Sequence, residues 1–250
     1  MSELGSPTEM LDLAGRVIIV TGAGGGLGAG IAKRLDQAGA TVVAHSRSTP
    51  VSGGFETVMA DLATGEGPSS VIEAVLERHG HIDGLINNAG IQPVVPFAEL
   101  SDEEWTRMID VDLTAVHRLT HRAATVMADS GRGGSIVHVA SIEGHHPTTM
   151  HGHYATAKAG LIMHARAAAL AFGDRGVRVN SVSPGLIDRP GLAADWPDGV
   201  QRWVDAAPLR RLGTPEDVGD ACVFLCSDLS RWITGVDLVI DGGVLTNPTW

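Results

Sequence analysis

Short apolar runs rich in β-branched residues alternate along this chain with longer stretches that have helical spacing. The apolar runs lie at residues 16–21, 41–45, 57–61, 83–90, 134–141, 176–185 and 235–243. The helical stretches lie at 31–40, 71–80, 101–127, 153–172 and 215–228. Continuous apolar strands separated by helices are typical of a parallel sheet that carries helices on both faces. The pattern therefore predicts a doubly wound α/β fold.

Charge and composition limit the classes of partner. The chain has 18 basic and 29 acidic side chains, a net charge of −11 that is spread along its length. A protein of this charge repels a nucleic-acid backbone and an anionic membrane surface. No apolar stretch reaches the roughly 18 residues of a membrane-spanning helix, and the first residues lack the basic and apolar regions of a secretory signal. We therefore expect a cytoplasmic protein with no nucleic-acid or membrane partner.

The chain is expected to form one domain over residues 1–250. Its hydrophobic fraction of 44% is ample for a core, and it contains no internal repeat or long linker. Residues 1–12 are expected to be a flexible tail, and residues 189–210 a lid over the carboxyl ends of the strands. Cys222 and Cys226 lie four residues apart in an apolar helical stretch, which predicts two buried core thiols.

A glycine-rich turn follows the first predicted strand. After Thr21 the turn contains Gly22, Gly24, Gly25, Gly26, Leu27 and Gly28. Glycines at this place let the backbone approach a pyrophosphate, and the N-terminus of the next helix offers it N–H groups. A purely structural turn is the alternative, but the flanking strand and helix favour a dinucleotide site.

The end of the second predicted strand indicates which dinucleotide binds. An acidic residue there binds the ribose hydroxyl of NAD, whereas an arginine accommodates the extra phosphate of NADP. No Asp or Glu occurs from Ala38 through Phe55, and Ser46, Arg47 and Ser48 follow the strand. We therefore predict that NADP(H) is favoured over NAD(H). The alternative is that Arg47 is a solvated surface residue.

Three polar residues form a candidate catalytic group. Tyr154, the only tyrosine, lies four residues before Lys158 at the start of a predicted helix, so both side chains share one face. A neighbouring ammonium stabilises a phenolate and lowers the pKa of the tyrosine. Ser141 ends the preceding strand, where its hydroxyl can reach over the edge of the sheet. Together these groups can polarise a carbonyl oxygen and move one proton; taken singly, they also fit an exposed helical pair and a capping serine.

These residues closely resemble the short-chain dehydrogenase/reductase family over nearly the whole chain, from about residue 12 to residue 245. The matching residues, in the family's order, are Thr21-Gly22-x3-Gly26-x-Gly28, Asn87-Asn88-Ala89-Gly90, Ser141, Tyr154-x3-Lys158, Asn180, Pro184-Gly185 and Asp241-Gly242-Gly243. The resemblance implies a single Rossmann-type domain with a seven-stranded parallel sheet. It also implies a homotetramer built from the long helices 101–130 and 153–172.

The resemblance further implies a role for each matching residue. Tyr154 is the acid/base, Lys158 binds the nicotinamide ribose and lowers the pKa of Tyr154, and Ser141 holds the substrate oxygen. The other implied cofactor contacts are Asp61 and Leu62 on the adenine side, Asn88, Ala89 and Gly90 beside the adenosine, and Pro184, Gly185 and Ile187 beside the nicotinamide.

Two positions depart from the family's pattern. Asp112 replaces the usual Asn that holds a water linked to the lysine; its carboxylate can still bind water, and it can pair with Lys158 and alter the pKa of Tyr154. We hypothesise that the proton relay survives, with Asp112 counted among the catalytic residues. Arg189 replaces the usual Thr beside the nicotinamide, where it can reach a phosphate or an anionic substrate, or pair with Asp188.

Substrate specificity is expected from residues around Ser141 and from the lid. The candidates are Glu143, His145 and His146, residues 92–95, and Leu192, Trp196 and Trp203 of the lid. The tryptophans suggest an apolar or ring-shaped substrate, with packing as the alternative. Spacing alone does not make His145, His146, His151 and His153 a metal site, and no metal is predicted.

The function predicted from the sequence is that of an NADP(H)-dependent carbonyl reductase or secondary-alcohol dehydrogenase acting on a small molecule. One alternative is an NAD-dependent dehydrogenase of a sugar, steroid or diol. Another, of a different class, is a regulatory protein that binds a dinucleotide but has lost turnover. The presence of Ser141, Tyr154 and Lys158 together argues against that regulatory protein.

Overall fold

The protein is built around one seven-stranded sheet, described here from a computed structural model that covers residues 5–247. The strands are β1 (Val17–Val20), β2 (Thr41–Ser46), β3 (Glu56–Met59), β4 (Gly84–Asn87), β5 (Gly134–Val139), β6 (Val177–Pro184) and β7 (Asp237–Ile240). Their order across the sheet is β3-β2-β1-β4-β5-β6-β7, and every neighbouring pair is parallel. The predicted doubly wound domain with a seven-stranded parallel sheet is confirmed.

Helices cover both faces of the sheet. The helices are α1 (Pro7–Leu11), α2 (Gly26–Gln37), α3 (Gly67–His79), α4 (Asp102–Ile109), α5 (Ala115–Asp129), α6 (Gly152–Phe172), α7 (Leu192–Asp195), α8 (Pro197–Ala206) and α9 (Pro215–Cys226). Alternate strand residues supply two cores, because successive side chains of a strand point to opposite faces. Ile19 belongs to the core that includes side chains of α3, α5 and α6, and Ile18 to the core that includes those of α2 and α9. Cys222 and Cys226 are buried in the second core, as predicted.

The predicted helix over 101–127 is interrupted. Ser101 caps α4 through a capping box with Glu104, and a π-helical turn over Asp110–Thr114 separates α4 from α5. Single π-turns inside helices occur frequently at functional sites. This turn contains Asp112, whose side chain it directs into the interior.

The amino-terminal segment, expected to be a flexible tail, contains a short helix. Residues 7–11 form α1, whose start is capped by Ser6 in a capping box with Glu9. The Arg231 guanidinium lies 3.9 Å from the Met10 sulfur, so this helix lies against the body of the protein. The first four residues of that predicted tail lie outside the described part of the chain. No helix among residues 5–247 is long and apolar enough to cross a membrane.

The strand order reverses between β1 and β4, which lie side by side at the centre of the sheet. In open parallel sheets a crevice forms at such a switch point, outside the carboxyl ends of the strands. The segments that leave β1, β4, β5 and β6 at this edge begin at Thr21, Asn88, Ala140 and Gly185. The candidate functional residues named below lie on these segments, on the segments that follow β2 and β3, or on the helices that come after them.

Candidate active site

Thr21 and Asn88 fasten the glycine turn to the end of β4. The Thr21 hydroxyl accepts hydrogen bonds from the backbone N–H groups of Asn88 (2.9 Å) and Ala89 (3.0 Å), and it donates to the carbonyl oxygen of Ile86 (3.2 Å). The Asn88 amide donates in return to the carbonyl oxygens of Thr21 (2.9 Å) and Gly22 (3.3 Å). These bonds join the two segments that flank the switch point and fix the start of the turn against the end of β4.

Two kinds of glycine make up the turn. Gly22 has φ +67°, and a Cβ there would lie 2.8 Å from the Cα of Ala89; a Cβ on Gly28 would overlap the carbonyl oxygen of Gly22. These glycines permit close packing within the protein. Gly24 and Gly25 are exposed, and a Cβ on Gly25 would meet nothing within 4 Å.

The amino end of α2 is suited to an anion. Gly25 is its N-cap residue and offers no side-chain cap, so the N–H groups of the first turn face the open glycines. Free N–H groups and the helix dipole favour a phosphate at such an end. The residues present fit the pyrophosphate of a dinucleotide, which Gly24, Gly25, Gly26 and Leu27 would hold.

The end of β2 presents one free cationic side chain. Ser46 is buried and its hydroxyl donates to the carbonyl oxygen of Thr49, so it faces inward, whereas Arg47 and Ser48 are exposed. No ion pair engages the Arg47 guanidinium within residues 5–247. The sequence analysis missed His45: its Nδ1 accepts from the N–H of Gly22 (3.3 Å), which ties β2 to the glycine turn.

Asp61 and Leu62 follow β3 at the same edge of the sheet. Asp61 is exposed and its carboxylate accepts from the N–H of Ala63 (3.0 Å), whereas Leu62 is buried. The carbonyl oxygen of Asp61 leaves no room for a Cβ on Gly67 at the start of α3. The carboxylate is therefore held in place at the edge where the adenine is expected.

Ser141, Tyr154 and Lys158 meet at the carboxyl end of β5. The Lys158 ammonium lies 5.3 Å from the centre of the Tyr154 ring, and Ser141 is close enough to the Tyr154 phenol to lower its pKa. Lys158 is buried and donates to the carbonyl oxygen of Val139 (3.1 Å). The sequence predicts that these three residues meet, and the structure shows how they do so. Ser141 lies at the end of β5, and Tyr154 and Lys158 lie on successive turns of α6.

Asp112 pairs with Lys158 in the interior. The Asp112 Oδ2 atom lies 3.2 Å from the Lys158 Nζ atom, and both side chains are nearly inaccessible, at 0% and 6% exposure. The Asp112 Oδ1 atom accepts from the N–H of Ile91 (2.8 Å), and a Cβ on Gly90 would lie 2.7 Å from Oδ2. Burial raises the pKa of Asp112, and the Lys158 charge opposes that rise. The carboxylate therefore joins the catalytic lysine to the segment that follows β4.

Burial controls the acidity of Tyr154. It raises the pKa of the phenol above its ordinary value, while the Lys158 charge and the Ser141 hydrogen bond act in the opposite direction. The negative charges of Asp112 and Glu143 add to the rise. Lys158 thus lowers the pKa of Tyr154, as the sequence predicts, but in the protein without a dinucleotide the burial outweighs it.

The four histidines near Tyr154 lie in different surroundings. His145 contacts the edge strand of the sheet: its Nε2 atom lies 2.7 Å from Asp237 of β7, whose other oxygen binds Ser181 and Ser183 of β6. This contact gives no support to the prediction of His145 as a substrate residue. His146 is exposed, and His153 is fully buried with neither ring nitrogen partnered within residues 5–247.

His151 is the histidine that faces the candidate site. Its ring centre lies 6.0 Å from that of Tyr154, and its Nδ1 atom lies 3.0 Å from a Glu143 oxygen. The sequence could not single it out from its neighbours, because only the path of the segment between Glu143 and His151 decides which imidazole turns inward. Glu143, in contrast, lies where the sequence predicts.

The segment after β6 carries the residues expected beside the nicotinamide. Gly185 donates its N–H to the carbonyl oxygen of Ile240 (2.9 Å), and Ile187 forms a parallel bridge with Gly213. Pro184, at the end of β6, is buried. These contacts hold the segment along the edge of the sheet, with Gly185 covered by a side chain of the lid.

That side chain is Trp203. A Cβ on Gly185 would lie 2.5 Å from the Trp203 ring, so the two residues are in close contact. Trp196, which the sequence analysis chose for the substrate site, instead folds against Gly199 between α7 and α8 and remains 48% exposed. The choice of Trp196 has no support in this arrangement. Arg189 pairs with Asp195 at 2.9 Å, and not with Asp188.

A phosphate cradle and a Ser-Tyr-Lys group at the carboxyl edge of a doubly wound sheet define a dinucleotide-dependent oxidoreductase. Residues 22–245 match the family model described as "Enoyl-(Acyl carrier protein) reductase". The chain belongs to the short-chain dehydrogenase/reductase family, and it is an NAD(P)-dependent oxidoreductase of alcohols and carbonyl compounds.

Similar proteins differ in substrate. The chain is 35% identical to 3beta-hydroxysteroid dehydrogenase 1 of Eggerthella lenta over 95% of its own length and 96% of the relative's. It is 36% identical to 2,5-dichloro-2,5-cyclohexadiene-1,4-diol dehydrogenase of Sphingobium indicum, over 92% and 96% of the two chains. A candidate NAD(P)-dependent gluconate 5-dehydrogenase of Beutenbergia cavernae, solved with NADP at low occupancy, superimposes with a TM-score of 0.88 at 35% identity, covering 95% of this chain and 99% of that one.

Proposed function

We propose that this protein interconverts a ketone or aldehyde and the corresponding alcohol with NADP(H), using Tyr154 as the general acid/base. The observation that carries the proposal is the convergence of Ser141, Tyr154 and Lys158 at the edge that carries the glycine turn, where the Lys158 ammonium lies 5.3 Å from the centre of the Tyr154 ring. A regulatory protein that only bound a dinucleotide would need no such group.

Each residue of the site has a distinct role in the proposed reaction. The dinucleotide, when bound, supplies or accepts the hydride at the substrate carbon. In reduction, Ser141 and Tyr154 donate hydrogen bonds to the carbonyl oxygen, and Tyr154 then gives its proton to that oxygen. In oxidation, the Tyr154 phenolate takes the hydroxyl proton. Lys158 stabilises the phenolate, and the Asp112 carboxylate lies 3.2 Å from the buried Lys158 ammonium, where it fixes the position of that group.

Arg47 supports the choice of NADP(H). The guanidinium is exposed at the end of β2, and no carboxylate from Ala38 through Phe55 would repel a phosphate there. The solved relative from Beutenbergia cavernae holds NADP, which agrees with this choice. An NAD-dependent dehydrogenase of a sugar, steroid or diol is the second candidate, because relatives are named as steroid, diol and glucose dehydrogenases.

A spectrophotometric screen of ketones and alcohols with both dinucleotides tests the function. We expect turnover with NADP(H), and we expect Arg47→Ala to weaken NADPH binding about tenfold, equivalent to about 1.4 kcal/mol, with NADH binding unchanged. Arg175→Ala, an exposed arginine before the start of β6 at the opposite end of the sheet, is the matched control and should change neither affinity. A wild-type preference for NADH would overturn the assignment of the dinucleotide.

The assembly and the location are part of the same proposal. We propose a cytoplasmic homotetramer packed through α4, α5 and α6. Light scattering coupled to size-exclusion chromatography checks the assembly, and a mass of one or two chains would contradict it.

A further inference from the structure

A network of polar side chains stands beside the Ser-Tyr-Lys group. The Glu143 carboxylate receives hydrogen bonds from Thr148 (3.0 Å) and Gln92 (3.4 Å), and it lies 3.0 Å and 3.2 Å from His151 Nδ1 through its two oxygens. Thr148 and His151 are also within 3.3 Å of each other. The network thus joins the segment after β4, the segment after β5 and the start of α6.

The network lies next to the reacting groups on both sides. The N–H of Glu143 donates to the Ser141 hydroxyl (3.1 Å), and the His151 ring stands edge-on to the Tyr154 ring. The charge of Glu143 acts on the Tyr154 phenol, whose pKa it raises. A substrate oxygen held between Ser141 and Tyr154 therefore has the Glu143 and His151 side chains as neighbours.

The side chains of Glu143 and His151 are largely buried but remain partly accessible to solvent. The Glu143 side chain is 15% exposed and the His151 side chain 18%. The His151 Nδ1 atom is committed to Glu143 and Thr148, and no hydrogen bond to its Nε2 atom occurs within residues 5–247. One carboxylate and one imidazole nitrogen are therefore placed to meet a ligand that reaches Tyr154.

The Glu143 carboxylate and the His151 imidazole favour a substrate that has a hydroxyl group next to its reacting carbon. A carboxylate accepts a hydrogen bond from a hydroxyl and repels another carboxylate, while an imidazole nitrogen can donate to or accept from the same hydroxyl. Sites built to hydrogen-bond a substrate hydroxyl discriminate strongly against an analogue that lacks it, because their polar groups then lose a partner. A purely apolar substrate would give the Glu143 and His151 side chains no hydrogen-bond partner.

We propose that Glu143 and His151 bind a second hydroxyl of the substrate, so that the enzyme acts on uncharged diols or polyols whose second hydroxyl is adjacent to the reacting carbon. The proposal rests on the proposed oxidoreductase function and names its substrate class. The Trp203 ring packs against Gly185 and gives another segment of the site an apolar surface. Such a surface suits a substrate whose two hydroxyls are carried on a ring.

Four alcohols of one ring size test the proposal: cyclohexanol, the cis and trans isomers of vicinal cyclohexanediol, and the cyclohexane ring with a carboxylate beside its hydroxyl. We expect kcat/KM for at least one diol to exceed that for cyclohexanol by about 10-fold or more, the usual effect of a hydrogen bond to a charged group. We expect the hydroxy acid to be the poorest substrate. Glu143→Gln and His151→Gln should each bring the diol-to-cyclohexanol ratio close to one.

The neighbouring His145→Gln is the matched control, because His145 lies in the same segment but is held by Asp237, and it should keep the wild-type ratio. Unchanged dinucleotide binding shows that each variant is folded. Equal use of cyclohexanol and both diols by the wild type, or a ratio that survives both Gln variants, overturns the inference and leaves the proposed function standing. Absence of turnover with every alcohol and ketone would defeat the proposed function itself.

Discussion

On the dinucleotide side of the cleft, side chains bind main-chain groups, whereas on the substrate side they bind one another. At the glycine turn, Thr21 and Asn88 bind main-chain groups, and Gly28 is required by the nearness of the Gly22 carbonyl. On the substrate side, Glu143 and His151 bind each other across eight positions of the chain.

This difference explains how the same scaffold serves many substrates. A backbone cradle needs only glycines and a few fixed hydrogen bonds, so it accepts one ligand chemistry and tolerates little change. A wall of side chains can be altered by single substitutions without moving the sheet. Tyr154 stands where the two sides meet, because its ring faces both Lys158 and His151.

Tyr154→Phe should have the largest effect on turnover. It removes the proton donor and acceptor while keeping the ring, so we expect kcat/KM to fall about 100- to 10,000-fold in both directions. Dinucleotide binding, measured by fluorescence, should remain close to that of the wild type because the glycine turn is untouched. Undiminished turnover in this variant would remove Tyr154 from the mechanism.

Gly28→Ala should damage the dinucleotide side without touching the substrate side. The added Cβ overlaps the Gly22 carbonyl and comes within 2.5 Å of the Asn88 amide, so we expect the free energy of unfolding to fall by about 1–3 kcal/mol. Dinucleotide affinity should fall as well, since the turn can no longer close.

Gly24→Ala is the comparison for that variant, because its Cβ meets only the Ser46 Cβ at 3.8 Å. It should unfold like the wild type yet bind the dinucleotide more weakly, because the Cβ occupies the space that the pyrophosphate needs. Thermal unfolding and dinucleotide titration of both variants check the pair. Equal stability of the two would refute the division between packing glycines and binding glycines.

The dinucleotide side was easier to predict from the sequence than the substrate side, because it is built from the backbone of a glycine-rich turn. The glycines of the turn lie close together along the chain, and each must be glycine for the backbone to fold, so Gly22 and Gly28 form a local pattern. The seven strands follow from the apolar runs; the structure shortens six of them by one to five residues and lengthens β2 by one.

The substrate side could not be predicted at the same level. Four histidines crowd the segment before α6, and their spacing does not reveal that His145 turns toward Asp237 while His151 turns toward Glu143. The two lid tryptophans are alike in sequence, and only the packing of α8 brings Trp203 against Gly185. The π-turn that contains Asp112 is equally invisible, because its residues fit a continuous helix.

Trp203→Ala, compared with Trp196→Ala, tests which of the two lid tryptophans contributes to the substrate side. Loss of the ring opens the wall beside Gly185, and we expect kcat/KM for a ring-shaped substrate to fall about tenfold, equivalent to about 1.4 kcal/mol. Trp196→Ala should leave kcat/KM close to the wild-type value, because that ring lies in its own lid helices. A larger effect at Trp196 than at Trp203 would reverse the assignment.

Asp112→Asn should have the smallest effect on rate, seen mainly in the pH profile. The Asn oxygen can still accept from Ile91, but the negative charge that raises the pKa of Tyr154 is gone. Alcohol oxidation needs the phenolate, so its rate falls as the pH drops through the pKa of Tyr154. We therefore expect the acidic limb of kcat/KM to move to lower pH in this variant; a limb that stays in place would show that Asp112 has no electrostatic role.

The central claim, that Tyr154 carries the proton, is tested most directly by comparing its titration with the rate. Because the chain has a single tyrosine, the tyrosinate absorbance of the folded protein reports Tyr154 alone. With NADP bound, the absorbance and the acidic limb of alcohol oxidation should give the same apparent pKa, and both should move together to lower pH in Asp112→Asn. A rate profile that departs from the tyrosinate titration in either protein would contradict the claim.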